Sequence, residues 1–113
     1  MSEPTSKRLV FLEKITAEGS ADPMAFYSLA MEYRGLGRHD EALQTFTSLR
    51  SNHPEYVPMY LMCGQMLEKL ERFEDARNWY EVGIGKARAS GNGHAASELE
   101  SALAACSTQT SSR

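Results

Sequence analysis

The sequence predicts an all-α chain of antiparallel helix pairs stacked side by side. Three observations predict it. Residue types recur at a fixed period of 34: Phe26, Leu29, Ala30, Tyr33, Ala42, Phe46 and Leu49 return as Tyr60, Cys63, Gly64, Leu67, Ala76, Tyr80 and Gly83. The turn Leu36-Gly37-Arg38-His39-Asp40-Glu41-Ala42 returns as Leu70-Glu71-Arg72-Phe73-Glu74-Asp75-Ala76, and a shift of one residue either way destroys the match. Within each unit the apolar residues fall at i, i+3, i+4 and i+7, the spacing of one helical face. A period in this range marks stacked helix-turn-helix units, an architecture that presents a surface.

A first helix is predicted from about Ser6 to Glu18, with Thr5 or Ser6 as its cap and Gly19-Ser20 as its stop. Leu9, Val10, Phe11, Leu12 and Ile15 cover a broad arc, so this helix expects cover on more than one side. The second helix starts at Asp22-Pro23 and runs to about Gly35. Asp22 is a good N-cap, and proline suits the first helical position because its missing N–H had no intrahelical partner. Phe26, Leu29, Ala30 and Tyr33 form its inner face, and Gly35-Leu36-Gly37 breaks it.

The third helix runs from about His39 to Ser51, with Asp40 and Glu41 complementing the dipole of the first turn. Ala42, Phe46 and Leu49 face inward, and Asn52-His53-Pro54 stops the helix, since proline disfavours helix in the residue before it. The fourth runs from about Pro58 to Leu70, with Tyr60, Cys63, Gly64 and Leu67 inward. The fifth runs from about Phe73 to Ser90, with Phe73, Ala76, Tyr80, Gly83, Ile84 and Ala87 inward, and Gly91-Asn92-Gly93 ends it. A sixth, about His94 to Ala105, carries Ala95, Leu99, Ala102, Leu103 and Cys106 on one side and Ser97, Glu98, Glu100 and Ser101 on the other. Residues 1–5 and 107–113 are predicted disordered tails around one domain at 6–106.

Composition fits this plan and narrows the function. The 113 residues suffice for one domain with a modest core. A net charge of −3 argues against general nucleic-acid affinity, which needs a basic stripe to displace counterions. No apolar run reaches the roughly 20 residues of a membrane span, and the first eight residues have no apolar core to make a secretory signal. Cys63 and Cys106 form neither a disulfide framework nor a metal set, which predicts reduced thiols and a cytoplasmic location.

The recurring residues carry a resemblance. Residues 23–56 and 57–90 resemble tetratricopeptide repeats (TPRs), whose pattern wants an aromatic, Leu, a small residue and Tyr in the first helix, then Ala, an aromatic and a small residue in the second, then Pro. The first unit supplies Phe26, Leu29, Ala30, Tyr33, Ala42, Phe46, Leu49 and Pro54, with Leu49 large where Ala is usual. The second supplies Tyr60, Cys63, Gly64, Leu67, Ala76, Tyr80 and Gly83, with Arg88 where Pro is expected and a longer second helix. Leu12 and Ile15 lie one period before Phe46 and Leu49, so residues 6–19 match the second half of a further repeat, and residues 94–106 read as a capping helix. The resemblance therefore implies six helices in a short right-handed superhelix, as in small bacterial TPR proteins.

It also implies where a partner binds. The family's concave wall comes from first-helix positions that point away from the core: here Met24, Tyr27, Met31 and Arg34, then Pro58, Leu61, Gln65 and Glu68. Met and Tyr on this wall suit an adaptable site for a peptide or helix. The expected function is non-catalytic protein–protein interaction, with self-association through the first helix or the groove as the alternative. A TPR subclass holds acidic chaperone C-termini with Lys, Asn and Arg. Tyr27 and Met31 stand where that pattern has Lys and Asn, and Met62 where it has a second Asn, so a chaperone tail is not expected.

Other motifs fall away. Gly83-Ile84-Gly85-Lys86 lacks the spacing and the hydroxyl of a phosphate loop and lies inside a predicted helix, so close packing at Gly83 is expected instead. His39, His53 and His94 sit at three different turns with no ligand spacing. No serine elbow or catalytic carboxylate pair is present, and no metal or cofactor is expected. Cys63 is expected in the core and Cys106 partly exposed; Trp79 is expected under the last helix near Leu99 or Leu103.

Overall fold

The computed structural model describes residues 3–19 and 22–107. Six helices follow in order: α1 Lys7–Ala17, α2 Pro23–Gly35, α3 His39–Asn52, α4 Pro58–Lys69, α5 Phe73–Ala89 and α6 Gly93–Cys106. No strand occurs among the described residues. The chain divides into two compact units, Met1–His53 and Pro54–Arg113. The tails expected at 1–5 and 107–113 fall partly outside the described residues, at 1–2 and 108–113.

In the first unit α1 packs on α2, and α2 on α3. Ser6 caps α1: its hydroxyl oxygen accepts the Leu9 N–H at 3.0 Å while its O–H donates to Glu32 at 2.8 Å. Asp22 caps α2 by accepting the Met24 N–H at 3.0 Å. Leu9, Leu12, Leu29, Ala30, Tyr33, Ala42, Phe46 and Leu49 make the buried set. Tyr33 donates its hydroxyl to Glu13 at 2.6 Å, and the Arg38 guanidinium lies 5.0 Å from its ring centroid. Arg38 also binds Glu41 at 2.6 Å, Glu3 at 3.0 Å and the Pro4 carbonyl at 2.9 Å, tying residues 3–4 to the α2–α3 turn. Phe26, expected in the core, is only half-buried. Val10 and Phe11 are 59% and 60% exposed, so the cover expected over the second side of α1 is absent among the described residues.

In the second unit α4 packs on α5, and α6 packs on both. Two glycines set the α4–α5 approach. A Cβ at Gly64 would lie 2.3 Å from Tyr80 Cε1, and one at Gly83 would lie 2.5 Å from Tyr60 Cβ. Each large ring therefore lies against the bare backbone of the opposite helix. Trp79 is buried against Tyr60 of α4, the ring centroids 5.8 Å apart and tilted by 50°. Such tilted aromatic pairs add to the burial they bring.

The buried face of α6 consists of Ala96, Leu99 and Cys106, with Ala95, Ala102 and Leu103 half-buried, one step round from the expected phase. Cys106 is fully buried, not partly exposed, and its thiol points at the Phe73 carbonyl at 3.8 Å. Met59 and Met66 are also buried, so α4 is covered on more of its girth than one stripe requires.

One turn closes three helices. After α2, α4 and α5 the chain enters the left-handed region at Gly37 (φ 76°), Glu71 (φ 60°) and Gly91 (φ 74°). The next residue's N–H then reaches back to the helix: Arg38 to the Tyr33 carbonyl and Arg72 to Leu67, both at 2.9 Å, and Asn92 to Ala87 at 2.8 Å. These are Schellman caps, which satisfy carbonyls left open at a helix end. Glycine adopts this conformation without Cβ strain at two of the three positions; Glu71 adopts it against its side chain's preference.

Candidate functional site

The expected wall residues divide between the units. In the first, Met24, Tyr27, Met31 and Arg34 lie at i, i+3, i+7 and i+10 of α2, one helical stripe. The stripe exists because Leu29, Ala30 and Tyr33 take the opposite side of α2 into the core. Met24 is 60% exposed, and the other three are half-buried. The Arg34 guanidinium donates to the Met31 sulfur at 3.9 Å. Two thioethers and a phenol ring thus lead to a cation in the last turn of the helix, where positive charge complements the dipole. Such a stripe offers dispersion contacts to apolar side chains and one donor fork to a carbonyl or carboxylate.

In the second unit Leu61 and Gln65 of α4 line an open hollow of about 460 Å³ whose other side is α6. His94, Ser97, Glu98, Ser101 and Ala102 complete it. His94 Nε2 lies 3.7 Å from Glu98 Oε1 at its exposed rim. Glu68 is half-buried and differently engaged: its carboxylate accepts the hydroxyl of buried Tyr80. Burial, and then that bond, push the Tyr80 phenol well above its ordinary range. Glu68, expected on the wall, therefore serves the α4–α5 pair and does not line this hollow.

Sequence reasoning missed the α6 side of this hollow, although a signal for it was present. Ser97 and Ser101 stand two residues beyond the 34-residue register from Leu61 and Gln65. The helix before α6 is also longer and its connection shorter: α5 has 17 residues against 14 in α3. In that shifted register Ser97 and Ser101 of α6 correspond to Leu61 and Gln65 of α4, two of the positions expected on the wall.

Little else gathers chemistry. Among the described residues no group of His, Cys, Asp and Glu could hold a metal ion. Cys63 and Cys106 are buried, and desolvation raises the Cys106 thiol above its usual range, away from the thiolate that nucleophilic work needs. Gly83, Gly85 and Lys86 lie within α5, where a phosphate could not be cradled by loop amides. Among the described residues no helix is long and apolar enough to cross a membrane.

Known structures match this arrangement. A tetratricopeptide repeat domain protein from Salinibacter ruber, solved by solution NMR, is 32% identical with a TM-score of 0.76, over 82% of this chain and 94% of its own. A crystal structure of a tetratricopeptide repeat domain protein from the same organism is 35% identical with a TM-score of 0.72, over 76% of this chain and 97% of its own. A solution structure of a Bordetella parapertussis protein has a TM-score of 0.77 over 92% of this chain and 90% of its own, and at 21% identity it shows likeness of fold alone. No family model matches the chain. The helix pairs, the glycine-mediated ring packing and the identity to the Salinibacter proteins together place this chain in the tetratricopeptide repeat family.

Proposed function

We propose that the chain is a non-catalytic binding module that takes a peptide or a helix of another protein along the α2 stripe. The observation that carries this reading is the row Met24, Tyr27, Met31 and Arg34. An exposed thioether, a ring and a second thioether stand in line and end at a guanidinium. A segment with apolar residues at helical spacing and a carboxylate at one end complements it. In the second unit, Leu61 and Gln65 line a separate and more polar hollow that offers a contact surface of its own. The family supports a role in protein–protein interaction in general.

The test is a selection from a displayed library of 12- to 20-residue peptides, on the order of the length of the helices themselves. Enriched peptides are then measured by calorimetry against the wild type and against Tyr27→Ala with Met31→Ala. The reading expects affinity to fall at least about tenfold in the double variant, which is about 1.4 kcal/mol. Enriched peptides that bind both proteins equally would contradict it.

A further inference from the structure

We infer that the exposed stripe of α1 is a docking surface for α1 of a second copy of this chain, packed antiparallel about a two-fold axis. Lys7, Phe11, Lys14 and Glu18 lie at i, i+4, i+7 and i+11, on the side opposite buried Leu9 and Leu12. Val10 stands beside them, and both it and Phe11 are about three-fifths exposed, at 59% and 60%. The repeat register shows what kind of group belongs there. Phe11 lies two periods before Trp79. Trp79 is buried, with Tyr60 of the first helix of its own repeat packed against its ring at 5.8 Å. Phe11 therefore holds a position that a neighbouring helix covers in the complete repeat.

Charge selects that helix. With the two-fold axis between residues 12 and 13, Lys7 of one copy faces Glu18 of the other, and the Lys14 stem and ammonium lie over the opposite Phe11 ring. All four contacts of this register are complementary, two ion pairs and two cation–ring pairs. Head-to-tail stacking of α1 on α6 is disfavoured. In the shifted register Glu100 of α6 stands where α4 has Gly64, and Gly64 admits Tyr80 with no room for even a Cβ. Glu100 is exposed and pairs with Arg88, which closes that end with charge.

The surface is small, two helices each about 16 Å long, so the dimer belongs to the weak end of protein interfaces. Sedimentation velocity of the full chain from about 10 μM to 1 mM, a range that brackets weak association, tests it. The weight-average mass should rise from 12.6 kDa toward twice that value. Phe11→Asp should hold the protein at monomer mass at every concentration, with its helical circular dichroism unchanged because the side chain is already exposed. Lys7→Glu should weaken the dimer at least about fivefold, and Lys7→Glu with Glu18→Lys should restore it, as exchange across a two-fold pair requires. Tyr27→Ala with Met31→Ala, which tests the α2 stripe, should leave the dimer intact, so the two readings fail independently. A wild type that stays monomeric at 1 mM, a dimer indifferent to Phe11→Asp, or a double charge exchange that fails to restore it would overturn the inference.

Discussion

Replacing Gly83 by alanine tests whether the second unit is held together by the close approach of α4 and α5. The new Cβ would lie 2.5 Å from Tyr60 Cβ and 3.2 Å from Leu99 Cδ1. Carbon atoms pack at about 3.5–4.0 Å, so the gap must open by about 1 Å. Rotating the Tyr60 ring does not open it, because Tyr60 Cβ is rooted in the α4 backbone. The helices themselves must separate, and the Trp79–Tyr60 contact loosens with them. Overpacking of this kind costs about 1–3 kcal/mol, and a backbone-rooted clash belongs at the upper end. Alanine's helix propensity returns about 1 kcal/mol, leaving a net loss of about 2 kcal/mol. Gly85, two residues along the same helix, is the control: a Cβ there meets nothing within 4 Å. Gly85→Ala should therefore gain about 1 kcal/mol from propensity alone. For a chain of this size each kcal/mol moves the melting temperature by about 4 °C, so the two variants should melt about 12 °C apart, on opposite sides of the wild type. Urea titrations followed by circular dichroism and by the fluorescence of the single tryptophan, Trp79, measure both. Two shifts in the same direction, or a Gly83→Ala protein as stable as the wild type, would refute the packing argument.

Two further predictions concern buried groups. Burial and the bond to Glu13 raise the Tyr33 phenol from 10.0 to about 12, so its folded pKa lies above its unfolded one. Its contribution is fully present below pH 10 and is lost as pH rises from 10 toward 12. Tyr33→Phe should cost about 1 kcal/mol at neutral pH and flatten this alkaline fall, read from urea midpoints across the range. Cys63 and Cys106 are both fully buried, so Ellman's reagent should label neither thiol in buffer and both in denaturant; rapid labelling of Cys106 in the native protein would contradict its placement.

The helix plan was legible in the sequence because the repeat makes each position count twice. Phe46 with Tyr80, Ala42 with Ala76, and Ala30 with Gly64 are all buried, and Gly83 is the close-packing site expected of it. The register ceases to guide where α5 lengthens: the extra residues turn α6 so that Ala96 is buried in place of Ala95. Met59 and Met66 escaped notice because the repeat pattern describes one face of α4, whereas this helix buries Met59, Tyr60, Cys63, Gly64, Met66 and Leu67. The exposed pair Val10 and Phe11 could not be told from core residues, since an apolar side chain reads the same whether or not another helix covers it.

The spacing of Met24, Tyr27, Met31 and Arg34 made their common stripe legible, but not what each side chain does. Met24 stands out to solvent, Arg34 reaches back to the Met31 sulfur, and Glu68 turns one oxygen to the Tyr80 hydroxyl. That last partnership follows from the need of a buried phenol for an acceptor. It could be seen only once α4 and α5 were placed side by side.

The most direct test of the proposed binding site is a methyl spectrum of the protein labelled with ¹³C at its six methionine methyl groups, recorded as a selected peptide is added. Met24 and Met31 lie on the α2 stripe, whereas Met59 and Met66 are buried in the second unit. The account predicts that the Met24 and Met31 signals move with peptide concentration while those of Met59 and Met66 stay in place. Saturable binding that leaves Met24 and Met31 unmoved would contradict it.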